Sequence, residues 1–129
     1  MGFDRAGGTF IAVHGTKTAS SGEWNAFIGA LEDQLIHVSR LLIFSAGASI
    51  DVREREQLER VLTRGRLRVA VLTDSKSLRG AATALSWFKI PIKSFAVNDL
   101  EPALDHLRVK KSERVLVYTA LAQLKVWLL

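Results

Sequence analysis

Three short stretches of the chain are apolar at almost every position: Phe10–Val13, Leu41–Phe44, and Leu67 with Val69–Leu72. Continuous runs of this kind mark strands covered on both faces, as in a parallel sheet. The stretches between them change period. Trp24, Phe27, Ile28, Leu31 and Leu35 recur at helical spacing behind Ser20-x-x-Glu23, a capping-box signature. A second helix is expected from about Asp51 to Arg64, with Val52, Leu58, Val61 and Leu62 on a thin apolar face and Gly65 as its C-cap. Thr73, Asp74, Ser75 and Ser77 offer capping side chains after the third run, and Leu78, Ala81, Ala82, Leu85 and Phe88 form the next stripe, ended by Pro91.

The remaining pattern extends the same plan. Ile92–Val97 alternates as an edge strand does, with Lys93 pointing outward. A helix capped by Asn98 or Asp99 follows, carrying Leu100, Ala103, Leu104 and Leu107, with Arg108, Lys110 and Lys111 at the negative end of its dipole. Gly7-Gly8 could turn a short edge strand around Phe3 onto the strand Thr9–His14. The tail, Ser112–Leu129, is apolar around most of a helical circumference, although the β-branched run Val115–Thr119 also admits a strand. The expected architecture is α/β: a mostly parallel sheet of four to five strands, about four helices, and a C-terminal apolar helix. Residues 1–111 are expected to form the domain, with 112–129 packed on it or on a partner chain. Leu121, Leu124, Trp127 and Leu128 are the expected oligomer contacts, in a homodimer.

Composition narrows the classes. The 129 residues contain no cysteine, which excludes disulfides and thiolate chemistry, and His14, His37 and His106 have no metal-ligand spacing. No segment reaches the about 18 to 20 apolar residues of a spanning helix, and the N-terminus lacks the pattern of a secretory signal, so a soluble cytoplasmic protein without membrane insertion is expected. The net charge of +5 is uneven: residues 1–50 carry 3 basic and 4 acidic side chains, the remainder 15 and 9. Because the aromatic residues fall on helix and strand stripes, with Trp24, Trp87 and Trp127 read as core, the excess is read as a solvated basic surface and no nucleic-acid partner is expected.

Candidate chemistry is sparse. Ser75, Lys76, Ser77 and Arg79 gather two hydroxyls and two cations where a helix start favours an anion, which makes them a candidate anion site; the plainer reading is a capped helix with solvated cations. His14 ends a strand with no acid or nucleophile placed by motif to work with it. No Gly-rich phosphate loop occurs, and no catalytic residue, cofactor or metal ligand is assigned.

The progression from Phe10-Ile11-Ala12-Val13-His14-Gly15 through Trp24–Leu35, Leu41–Ser45 and Val69–Thr73 resembles the STAS domain of bacterial anti-sigma-factor antagonists and sulfate-transporter tails. The resemblance covers roughly Thr9 to Leu107. It implies a non-enzymatic regulatory or scaffolding module that binds a protein partner through strand-end loops. In the antagonists one such loop carries a phosphorylated Asp-Ser-(Ser/Thr)-Gly motif; the matching stretch here, Ser45–Asp51, lacks it. The resemblance therefore carries over the location alone, with Ser45, Gly47, Ser49 and Asp51 as the candidate interaction loop. The alternative is a binding or sensor domain for a small anionic or lipidic ligand.

Overall fold

The computed structural model describes residues 1–47 and 49–128, with the backbone alone described for 127 and 128. The elements run β1 (Gly2–Ala6), β2 (Thr9–His14), α1 (Ser21–Gln34), β3 (Arg40–Ser45), α2 (Val52–Gly65), β4 (Arg68–Thr73), α3 (Lys76–Ser86), β5 (Ile92–Phe95) and α4 (Leu100–Leu107). A 3-10 turn (Lys111–Glu113) then leads into α5 (Arg114–Leu128). The strands lie in the order β1-β2-β3-β4-β5, with β1 antiparallel to β2 and the other pairs parallel. The chain is thus α/β, with a five-stranded mixed sheet and five helices among the described residues.

Consecutive strand order decides the layering. Parallel crossovers of one hand that never reverse direction across the sheet put their helices on one face. Accordingly α1, α2 and α3 pack on Phe10, Ala12, Leu41, Val69 and Val71, while α4 and α5 cover Ile11, Val13, Leu42, Phe44, Ala70 and Leu72. Alternate residues of each central strand serve opposite cores, which is why the runs are apolar without interruption. The edge strand joins the first core through Phe3, whose ring stacks on Phe10 at 5.8 Å.

Local signals set the helix ends. Ser20 Oγ accepts from Glu23 N at 3.1 Å, and the Glu23 carboxylate accepts from Ser20 N at 3.0 Å, completing the expected capping box. Asp51 and Glu54 form a second one, at 2.8 and 3.0 Å. Gly65, expected as a C-cap, is instead the last residue of α2, and Arg66 takes the left-handed conformation with φ 52°. Space favours glycine: a Cβ there would sit 2.4 Å from Leu35 Cδ2, so the Leu35 side chain would have to shift.

Other expectations are corrected. Helix α3 stops at Ser86, well short of Pro91, and the chain turns through Lys89 at φ 64°. Phe88 therefore leaves the apolar stripe and is 60% exposed, and Trp87, read as core, is 77% exposed. Trp24 is buried, as expected. β5 ends at Phe95 rather than Val97. Arg108, Lys110 and Lys111 follow the end of α4 as expected, and the strands add hydrogen-bond donors there. Arg40 Nε donates to Leu107 O at 2.8 Å and Nη2 to Arg108 O at 3.1 Å, while Arg68 Nε donates to His106 O at 2.6 Å.

Val115–Thr119 is helical. α5 crosses β1 and β2 and buries Val117, Ala120 and Leu121 in the second core. Leu121, expected to meet a second chain, is thereby committed to its own sheet, and Leu124 packs half-buried beside it. Trp127 and Leu128, also expected at an interface, lie outside the described side chains. Arg114 fixes the start of α5 by pairing with Glu101 at 2.6 Å and Asp105 at 2.7 Å, and Tyr118 donates to Glu101. No described helix is long and apolar enough to cross a membrane.

Candidate functional site

The three central strands finish in register on polar residues: His14 lies beside Ser45, and Ser45 beside Thr73. All three are buried and stand on the α1–α3 face. Two of them organise the loops that follow. Thr73 Oγ1 accepts from Ser75 N at 3.0 Å, and Ser45 Oγ accepts from Gly47 N at 3.4 Å, so each hydroxyl folds the departing backbone back over the sheet end.

His14 differs. Its ring is 5% exposed, lies 6.4 Å from that of Trp24, and its Nε2 finds no hydrogen-bond partner among the described residues. Burial pushes the imidazole below its ordinary value, with the Met1 ammonium adding to the effect and Glu23 opposing it. The ring borders an apolar cleft of about 40 Å³ between the sheet, α1 and α3, lined also by Trp24, Ile43, Leu78 and Leu85. That volume suits a water or two rather than a lipid chain.

Above the strand ends lies a shallow depression of about 340 Å³ lined by Ser45, Ala46, Gly47, Asp74, Ser75 and Val97. It brings together Ser45 and Gly47 from the candidate interaction loop with Ser75 from the candidate anion site. Gly47 has φ 129° and open space where a Cβ would be, so its shape follows from backbone conformation alone. Asp51 falls elsewhere, in a groove with Thr18, Ser21 and Asn25, where it caps α2. Ser49 is exposed and lines neither feature.

The helix start at α3 is largely self-satisfied. Ser75 Oγ accepts from Leu78 N at 3.4 Å, and Arg79 turns back to donate to Thr73 O at 3.2 Å and to approach Asp74 at 3.8 Å. Lys76 and Ser77 remain exposed on the first turn. Asp74 Oδ1 also accepts from Val97 N at 3.5 Å, joining the β5–α4 connection to the rim. Val97 could not be assigned from sequence because its place depends on where β5 stops. The Arg40 and Arg68 caps did leave a trace: each precedes four apolar residues and a hydroxyl, Arg40…Ser45 and Arg68…Thr73.

Comparison of the chain with protein-family models, curated proteins and solved structures finds no match. The geometry must therefore carry the functional reading.

Proposed function

We propose that this domain is a non-enzymatic bacterial regulatory or scaffolding module of the STAS type, cytoplasmic, which recognises a protein partner through the loops at the carboxyl ends of β3 and β4. The convergence of Ser45–Gly47, Asp74–Ser75 and Val97 on one open depression carries this reading. Loops held on a rigid sheet are where binding residues are most often carried. A shallow, open surface of small side chains suits a protruding peptide segment better than a solute that must be enclosed. The STAS assignment draws support from the element order and from the position of the loop after β3.

Self-association is part of the proposal. The outward face of α5 presents Val115, Leu116 and Val126, all exposed. Its two cations are engaged elsewhere, Arg114 with Glu101 and Asp105 and Lys125 over the Phe44 ring at 4.1 Å. The small-ligand alternative rests on the α3 start and the narrow cleft. It has less support, because Arg79 is already paired and about 40 Å³ falls far short of a typical ligand pocket of roughly 300 Å³ or more.

Affinity capture from the source cells tests the reading. Wild type and Gly47→Ala, which carries the backbone strain without bulk, should retain the same partner in constant proportion, and Gly47→Arg should lose it. A partner retained equally by Gly47→Arg would refute the assigned surface.

A further inference from the structure

The end of the molecule opposite the loops has a different character. Backbone bonds tie its connections together: Ser39 N donates to Gly8 O, Arg68 N to Ser39 O, and Val69 N to Pro91 O, while the Arg40 and Arg68 side chains hold the end of α4 there. The ends of α1, α2, α3 and α4 therefore gather at the amino ends of the strands. The turns just past these ends expose Ile36 at 87%, Trp87 at 77% and Phe88 at 60%. At the same pole stand Arg66, Lys89 and Arg108, all exposed.

These three cations are the described non-glycine residues with positive φ, at 52°, 64° and 59°. Glycine or asparagine would take that conformation with less strain. A helix carboxyl end favours a cation, which accounts for part of the choice. It does not account for an indole, a phenyl ring and an isoleucine left in water at the same pole. Asp33 is an exposed acidic side chain at this end; Glu32 is paired with Arg64 at 3.4 Å.

We propose that this pole docks on an anionic phospholipid surface, with Trp87, Phe88 and Ile36 entering the headgroup layer and Arg66, Lys89 and Arg108 meeting lipid phosphates. The apolar side chains project from two turns, Ile36 after α1 and Trp87 with Phe88 after α3, rather than lining one groove, so the complementary partner is one that deforms around them. Exposed aromatic and aliphatic tips with cations at the same pole suit a lipid interface. Ile36 offers nothing to a nucleic-acid base, which would stack on aromatic faces alone. The attachment is peripheral, and it leaves the β3 and β4 loops facing away from the membrane toward a partner.

Co-sedimentation of the full chain with vesicles tests this. Binding is expected to vesicles of equal parts phosphatidylglycerol and phosphatidylcholine, and not to phosphatidylcholine alone. With cations near such a surface each contributing about fivefold, Arg66→Gln with Lys89→Gln should lower partitioning roughly twenty-five-fold. Trp87→Ser with Phe88→Ser should weaken it as well, while unchanged thermal unfolding shows that these exposed positions leave the fold intact. Failure to sediment with the mixed vesicles overturns the proposal. So does equal binding by the serine variant, or binding to a short DNA duplex that the same glutamine variant abolishes while vesicle binding persists.

Discussion

Arg40, at the start of β3, donates from Nε to the carbonyl oxygen of Leu107, the last residue of α4, at 2.8 Å. The bond crosses from the sheet to the layer formed by α4 and α5, and it satisfies a carbonyl that a helix end leaves open. A guanidinium donating to a backbone carbonyl in a half-buried place is worth about 2 kcal/mol. Arg40→Met should lower unfolding free energy by about that amount in urea titration, and Arg68→Met by a similar amount. Because both act on the same helix end, the double variant should depart from additivity. Wild-type stability in Arg40→Met would contradict the assigned role.

Gly65 answers to Leu35. A side chain at 65 would press on the end of α1, so Gly65→Val should cost about 1 to 3 kcal/mol despite the helical backbone there. Leu35→Ala should relieve part of that cost. Thermal unfolding of both single variants and the double variant checks this; strict additivity would mean that the two residues do not meet.

His14 and His106 are both held below the ordinary imidazole value, chiefly by burial, with the Met1 ammonium adding at His14. In each case the unfolded chain takes up a proton before the folded one does. Stability should therefore be level above about pH 6.5 and fall as pH drops below it, through the depressed folded values. His14→Leu should flatten the part of this slope that His14 contributes, and it removes an unpartnered nitrogen. His106 should contribute a separate share, since its Nε2 donates to the carbonyls of Val69 at 2.9 Å and Pro91 at 3.2 Å. Denaturant titrations across mildly acidic pH provide the check, and an unchanged slope in His14→Leu would contradict it.

The proposed self-association through the outward face of α5, with Val115, Leu116 and Val126 exposed, is open to mutation. Val115→Glu with Val126→Glu should halve the mass seen by light scattering at tens of micromolar. Deleting the helix would be a poor test, because Val117, Ala120 and Leu121 close the second core. A wild type with monomer mass at that concentration would end this part of the account.

The strands and helices were legible because a sheet covered on both faces leaves no ambiguity in period: Leu41–Phe44 and Val69–Leu72 have no wet side. Ser20 and Glu23 marked α1 for an equally local reason. What escaped was decided by tertiary geometry. Phe88 continues a helical stripe on paper and Trp87 reads as core, and their exposure follows only from α3 stopping at Ser86. Gly65 was legible as a helix-end residue, but its steric reason lies on another helix. Of the site, Ser45, Gly47 and Ser75 could be singled out one by one. Their convergence with Val97 depends on the parallel register of β3, β4 and β5.

The most direct test of the central claim is titration of the captured partner into isotope-labelled full-length chain while amide shifts are recorded. The account predicts changes at Ser45–Gly47, Asp74–Ser75 and Val97, with Arg66, Lys89 and Arg108 silent. Changes confined to α5 or to the lysine- and arginine-bearing pole, with the strand-end loops unmoved, would contradict it.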